Sequence, residues 1–201
     1  MSQPSEIRHT APATPAQNEF SSEERTILLK LAHQSIESAF DLEEKELGLA
    51  APSAHLAEPR GAFTTLYLEG NLRGCVGYIF AAAPLYQTIA ETARAAAFDD
   101  TRFSPVTRGE APQLTISLSI LSPLKPIQAG EVKIGLHGLL ISMAGRRGLL
   151  LPQVPVEHGW DRVTFLEQTC RKAYLPVNAW KEGATLEAFT AEVFGDPNAE
   201  P

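Results

Sequence analysis

Phe63-Thr64-Thr65-Leu66-Tyr67-Leu68-Glu69-Gly70-Asn71-Leu72-Arg73-Gly74-Cys75-Val76-Gly77-Tyr78-Ile79 reads as two strands joined by a tight turn. Residues 63–68 form the first strand, Glu69-Gly70-Asn71 the turn, and residues 72–79 the returning strand. The register decides what surrounds Cys75, because a slip of one residue changes every cross-strand neighbour. A two-residue loop at Gly70-Asn71 sets Cys75 opposite Leu66 and Arg73 opposite Leu68. A three-residue loop sets Cys75 opposite Thr65, Arg73 opposite Tyr67, Leu72 opposite Leu68 and Val76 opposite Thr64. The longer loop is favoured, because Asn71 tolerates the left-handed conformation it needs. It also keeps Arg73 off the apolar face.

Alternation along the returning strand sends Arg73 and Cys75 to one face, with Gly77 leaving a notch beside them. Gly74 and Gly77 let another chain or a ligand approach the backbone closely. A cation beside a thiol favours the thiolate, the reactive form of cysteine. The segment therefore marks a site without naming its reaction.

On the N-terminal side, Ser21 and Glu24 have the spacing of a capping box that opens a helix, with Ile27, Leu28, Leu31, Ala39 and Leu42 at roughly helical intervals. Gly48, Pro52 and Pro59 break the chain into a loop. Residues 1–18, with Pro4, Pro12 and Pro15 among small polar residues, read as a disordered tail without the apolar stretch of a secretory signal. On the C-terminal side, Pro84 starts a helix whose inner side (Leu85, Ile89, Ala93, and Ala96 or Ala97) is small enough to pack close to a sheet. Residues 99–105 form its exit loop. Residues 113–121 alternate cleanly, Leu114, Ile116, Leu118 and Ile120 against Thr115, Ser117 and Ser119, and form the clearest strand. Residues 132–135 read as a further strand, and 139–143 with 148–151 as a hairpin turning at Ala144-Gly145-Arg146-Arg147. Asp161 caps a helix over 162–173, and 185–194 form a final strand, with helix as the alternative. The mixture predicts an α+β fold, a mostly antiparallel sheet with packed helices, as one domain over 19–196 followed by a short tail, 197–201.

At 201 residues the chain can bury a real core without disulfides, and two cysteines point to a reducing, cytoplasmic setting. No apolar run approaches a membrane span. The net charge of −7 argues against a general nucleic-acid binder. The stretch carrying Arg146, Arg147, Arg162, Arg171 and Lys172 is mildly basic and reads first as a solvated surface. No Cys-x-x-Cys, His-Glu-x-x-His, Walker or dinucleotide fingerprint occurs, so no metal and no cofactor is expected. Gly74-Cys75-Val76-Gly77 matches the Gly-x-x-Gly of KH domains, but it sits in a strand pattern and lacks basic residues.

With these elements in order, the chain resembles the AMMECR1 family. The motifs that carry the resemblance are Leu-Arg-Gly-Cys-Val-Gly at 72–77, Asp-Thr-Arg-Phe-Ser-Pro-Val at 100–106 and Leu-Ser-Ile-Leu-Ser-Pro at 118–123. They are followed by His137-Gly138, Leu-Leu-Pro-Gln-Val at 150–154, Trp160, and the segment from Phe165-Leu166 to Lys172-Ala173. The resemblance implies a larger and a smaller lobe with a cleft between them. It also implies an association with Memo-like and radical-SAM proteins, and a biochemical activity that is unsettled. Thr101 departs from the usual proline, and Tyr174 stands where glycine often follows Lys-Ala, reshaping the surroundings of Lys172.

Three functions follow as expectations. The first is a ligand- or peptide-binding module acting with a partner enzyme, its cleft lined by Arg73, Cys75 and the Asp100–Arg102 loop. The second is a cysteine-dependent enzyme acting on an anionic or carbonyl-bearing small molecule. Its nucleophile is Cys75, helped by Arg73, with His137 as the base by motif, since a cysteine nucleophile needs a base within hydrogen-bond reach. The third is a nucleic-acid-associated protein using the basic stretch. Gly74, Gly77, Asp100, Arg102 and Lys172 are the expected binding residues. The bland alternatives are a packed cysteine, a turn histidine, a loop in which Asp100 and Arg102 pair with each other, and a Lys172 that serves only the helix dipole.

Overall fold

The computed structural model describes residues 19–41 and 52–199. The N-terminal tail expected over 1–18, the positions Leu42 and Gly48, and residues 200–201 lie outside the described residues. The described residues divide into two compact units, a larger one that includes 19–41, 52–123 and 192–199 and a smaller one that includes 124–191.

In the larger unit, helix α1 (Ser22–Ser38) starts at the capping box: Ser21 Oγ accepts from Glu24 N, and the Glu24 carboxylate accepts from Ser21 N. Strands β1 (Ala62–Leu68), β2 (Asn71–Tyr78) and β3 (Leu114–Leu121) form an antiparallel sheet with β8 (Ala191–Gly195), in the order β2-β1-β3-β8. Helix α2 (Leu85–Phe98) and α1 share a core with Ala62, Leu66, Ile116, Leu118 and Ile120 on the inner face of that sheet. The buried Thr64 hydroxyl lies on the same face and is satisfied by Thr92 Oγ1 at 2.8 Å. The alanine side of α2 does bring helix and sheet close: a Cβ on Gly74 would lie 2.1 Å from Ala96 O.

The smaller unit holds β4 (Lys125–Pro126), β5 (Gly138–Met143), β6 (Arg146–Leu150) and β7 (Thr185–Phe189), in the order β4-β7-β5-β6. Helix α3 (Gln153–Glu157) follows β6, and α4 (Arg162–Lys172) follows the Asp161 cap, whose carboxylate accepts from Thr164 N at 2.8 Å. Leu139, Phe165 and Leu166 are fully or almost fully buried in one cluster, Ile141 and Cys170 in the next.

Four local expectations change. The first hairpin turns on Glu69 (φ 51) and Gly70 (φ 77), both left-handed, as a two-residue primed turn requires. Asn71 is the first residue of β2 instead of a turn residue. The second hairpin likewise turns on Ala144 (φ 50) and Gly145 (φ 78), with Arg146 and Arg147 already in β6. Residues 132–135 are not a strand, because a 3-10 turn at Ala129–Glu131 and the Lys133–His137 turn use their backbone groups. The single strand expected over 185–194 divides at Thr190 into β7, in the smaller sheet, and β8, in the larger.

Candidate functional site

Cys75 is half-buried in β2, opposite Thr65, which in turn lies opposite Ser117 on β3. Thiol and hydroxyls thus form a row across three strands, on the face turned away from the helices. Thr65 Oγ1 donates to Cys75 Sγ at 3.3 Å. Tyr67 is next on that face, and burial, with the Cys75 sulfur nearby, pushes its phenol up.

β2 is an end strand, so the main-chain groups of Cys75 that turn away from β1 need other partners. The Asp100 carboxylate accepts Cys75 N–H at 2.9 Å, and Arg102 Nη2 donates to Cys75 C=O at 3.3 Å. The two side chains are themselves joined, Arg102 Nε and Nη2 donating to Asp100 at 3.0 and 2.7 Å. The pair stands where the next strand would stand. The Arg102 guanidinium holds the buried Asp100 carboxyl well below the usual carboxylate range.

Arg73 does something else. Pairing steps from Leu66↔Gly74 to Tyr67↔Leu72, which leaves Arg73 as the extra residue of a β-bulge. Its guanidinium donates to both oxygens of Glu110, at 3.1 and 3.2 Å, and to the carbonyls of Ser104 (2.8 Å) and Pro105 (3.3 Å). Glu110 is held in turn by Thr107, whose N–H and hydroxyl both donate to it. Arg73 and Thr107 hold the Glu110 carboxyl down to about 2. The guanidinium that hydrogen-bonds to Cys75 is therefore that of Arg102, through the main chain, while the hydrogen bonds of Arg73 fasten the loop after α2. The bulge also explains the register: Cys75 faces Thr65, as a three-residue loop would have it, although the turn has two residues.

The space beside both motif glycines is occupied. Ala96 of α2 fills the place of a Gly74 side chain, and the Phe63 ring covers Gly77, where a Cβ would lie 2.2 Å from the ring. The notch expected at Gly77 is thus filled by the chain's own aromatic residue.

The AMMECR1 family model matches residues 29–194. The chain belongs to the AMMECR1 family. A protein from Methanococcus aeolicus is 42% identical over 155 residues, covering 71% of this chain and 78% of its own length. Protein MK0488 from Methanopyrus kandleri is 38% identical over 193 residues, 89% of this chain and 91% of its own. Among solved structures, the crystal structure of the uncharacterized protein PH0010 from Pyrococcus horikoshii superposes with a TM-score of 0.68 at 35% identity, over 85% of this chain and 90% of that one.

The motif residues from His137 to Ala173 of this AMMECR1-family chain belong to the smaller unit. His137 Nδ1 accepts from Lys133 N at 3.2 Å, which puts any single ring proton on Nε2, and burial lowers the imidazole pKa. Lys172 is the exposed last residue of α4, where a cation suits the helix dipole. Tyr174 is the left-handed residue that ends α4, at φ 56, a conformation that suits the glycine expected there. Among the described residues no group of three or more His, Cys, Asp or Glu could hold a metal ion, and no helix is long and apolar enough to cross a membrane.

Thr65 is the neighbour of Cys75 that the favoured register gives, and Glu110 is the partner that a reading of the motif alone does not contain. The spacing Thr107-x-x-Glu110 is a capping-box signature, and it is visible in the sequence. Nothing local says that Glu110 also receives Arg73.

Proposed function

We propose that the chain is a binding module that acts with a partner enzyme, Memo-like or radical-SAM, and that a ligand or peptide is recognised on β2 at the Arg73–Cys75 segment. One observation carries this reading. Of the five positions 73–77, four have structural work at the side-chain position and the Cys75 side chain has none: Arg73 fastens the loop at 104–110, Gly74 admits Ala96, Val76 packs on the core and Gly77 lies under Phe63. Cys75 presents a half-buried thiol to a row of hydroxyls, on a strand whose edge is held by Asp100 and Arg102. A group that the fold does not need, on a backbone the fold holds rigidly, suits recognition. A cytoplasmic setting goes with the same reading, since both thiols are unpaired.

The second reading is a cysteine-dependent enzyme, favoured by the hydroxyl donating to the sulfur. Against it, the described histidines of the larger unit are engaged elsewhere: His33 bonds Asp196 and His55 bonds Glu24, each at 2.8 Å. One experiment separates the readings. Cys75→Ala and Thr65→Val are assayed for capture of the purified Memo-like and radical-SAM proteins of the same genome, alongside alkylation rates of the two thiols. Burial pushes the Cys170 thiol up, so it serves as the slow reference. Capture that weakens, with Cys75 alkylating at an ordinary rate, supports the module. Capture that is unchanged by both substitutions refutes it, and Cys75 alkylating far faster than an ordinary exposed thiol favours the enzyme.

A further inference from the structure

We propose that Tyr174, with Arg146, Arg171 and Lys172 around it, is a docking surface for an acidic face of a protein partner; that this partner is the one named above rests on the module reading. The surface lies wholly within the smaller unit.

Tyr174 closes α4 in a Schellman arrangement: Leu175 N–H donates to Cys170 C=O and Tyr174 N–H to Arg171 C=O. That position needs a left-handed residue, and for a residue with a Cβ the conformation carries a strain that glycine avoids. The ring returns nothing to the fold, because Tyr174 is 85% exposed. A strained, solvent-facing tyrosine at a glycine position is explained by what it meets outside the chain. Its platform is rigid. Arg146 Nη1 donates to Tyr174 C=O at 2.7 Å and ties β6 to the helix end. Gly148 lets the two backbones close, since a Cβ there would lie 2.3 Å from Ala173 N.

Arg146, Arg171 and Lys172 are exposed, and among the described residues no salt bridge neutralises them. The helix dipole accounts for Arg171 and Lys172, but not for an exposed aromatic ring at the helix end to which Arg146 is bonded. Tyrosine and arginine are the side chains that anchor protein interfaces, and uncompensated cations at the rim select carboxylates. Nucleic acid fits less well, because residues 124–191 hold eight Lys and Arg against six Asp and Glu, too balanced for phosphate-driven binding. Arg147 alternates to the other face of β6 and lies outside the patch. It provides a control of equal charge.

The test measures affinity for the purified Memo-like and radical-SAM proteins, for decaglutamate and for a short single-stranded oligonucleotide. The proteins compared are wild type, Tyr174→Gly, the double variant Arg171→Glu/Lys172→Glu, and Arg147→Glu. Tyr174→Gly is expected to melt higher, by about 2–8 °C, yet to bind the partner about tenfold more weakly. The double variant weakens binding similarly and flattens its salt dependence, while Arg147→Glu stays within about threefold of wild type. A partner that Tyr174→Gly and the double variant both hold as tightly as wild type does overturns the docking surface and leaves the module reading standing. If neither protein binds wild type, the module reading fails, and decaglutamate decides the surface: shifts of the amide resonances at 146 and 171–175 sustain it, and their absence overturns it. Tighter binding of the oligonucleotide than of the acidic probes overturns the protein assignment, and a Tyr174→Gly variant that melts no higher than wild type overturns the strain on which it rests.

Discussion

Gly74→Ala adds one methyl group at the point where β2 meets α2. Its Cβ would lie 2.1 Å from Ala96 O and 3.0 Å from Ala96 C, and ordinary van der Waals contact begins at 3.4 Å. Helix and strand would have to part by roughly 1.3 Å, the difference between 3.4 and 2.1. Overpacking costs about 1–3 kcal/mol when side chains can yield. Here the obstacle is the main chain of a helix that is buried on its inner side through Ala93, Ala96 and Ala97, and that receives Ser35 Oγ at Ala90 C=O. The cost therefore falls at the upper end, about 3 kcal/mol, or a melting temperature lower by about 6–12 °C for a chain of this length. Cys75→Ala, one residue away, removes a half-buried sulfur and one weak hydrogen bond, for about 1 kcal/mol or less. Urea titration followed by far-ultraviolet circular dichroism, with thermal melts of both variants, measures the contrast. A Gly74→Ala protein within about 0.5 kcal/mol of wild type, or a Cys75→Ala protein less stable than it, would refute the division of the motif into structural and functional positions.

Glu110, at about 2 instead of 4.5, contributes stability that is present above pH 4.5 and lost as the pH falls toward 2. Glu110→Gln should accordingly melt below wild type at neutral pH, with the gap closing between those limits; a gap that does not change with pH means that the pairing with Arg73 contributes nothing. Asp100→Ala leaves Cys75 N–H without its acceptor and opens the edge of β2 beside the exposed Tyr78 and Phe80. It should lose about 1–3 kcal/mol and self-associate with rising concentration in light scattering, whereas a fully stable monomer would show that the edge needs no cap. His137→Ala should leave both alkylation of Cys75 and partner capture unchanged, since Nδ1 of the imidazole is engaged with the Lys133 turn; a tenfold slower alkylation, about 1.4 kcal/mol in barrier, would instead support it as the base.

The local elements could be read because their signals are local. Ser21 and Glu24 lie one helical turn apart, so the capping box shows before any fold exists. The alternation of Leu114 to Ile120 reports a half-buried strand by itself, and Asp161 announces α4. The errors have a common cause. Whether 185–194 is one strand or two depends on which sheet each half joins, and whether Glu69-Gly70 or Gly70-Asn71 turns depends on where the extra residue is stored. α3 carries no local signal, because it has only five residues with Pro155 inside it.

For the site, the motif around Cys75, the Asp100–Arg102 pair and the Thr107-x-x-Glu110 box are written in the sequence, because each is a relation between neighbours along the chain. The allocation of the two guanidiniums is not. Arg73 meets a carboxylate 37 residues away and Arg102 a carbonyl 27 residues away, and only the packing of α2 and its exit loop against β2 brings those groups within hydrogen-bond reach. Sequence alone thus determined which chemical groups this protein possesses and which faces its strands present. The tertiary structure decided which arginine reaches the main chain of Cys75 and which fastens the loop after α2, because hydrogen bonds follow distance in space and not separation along the chain.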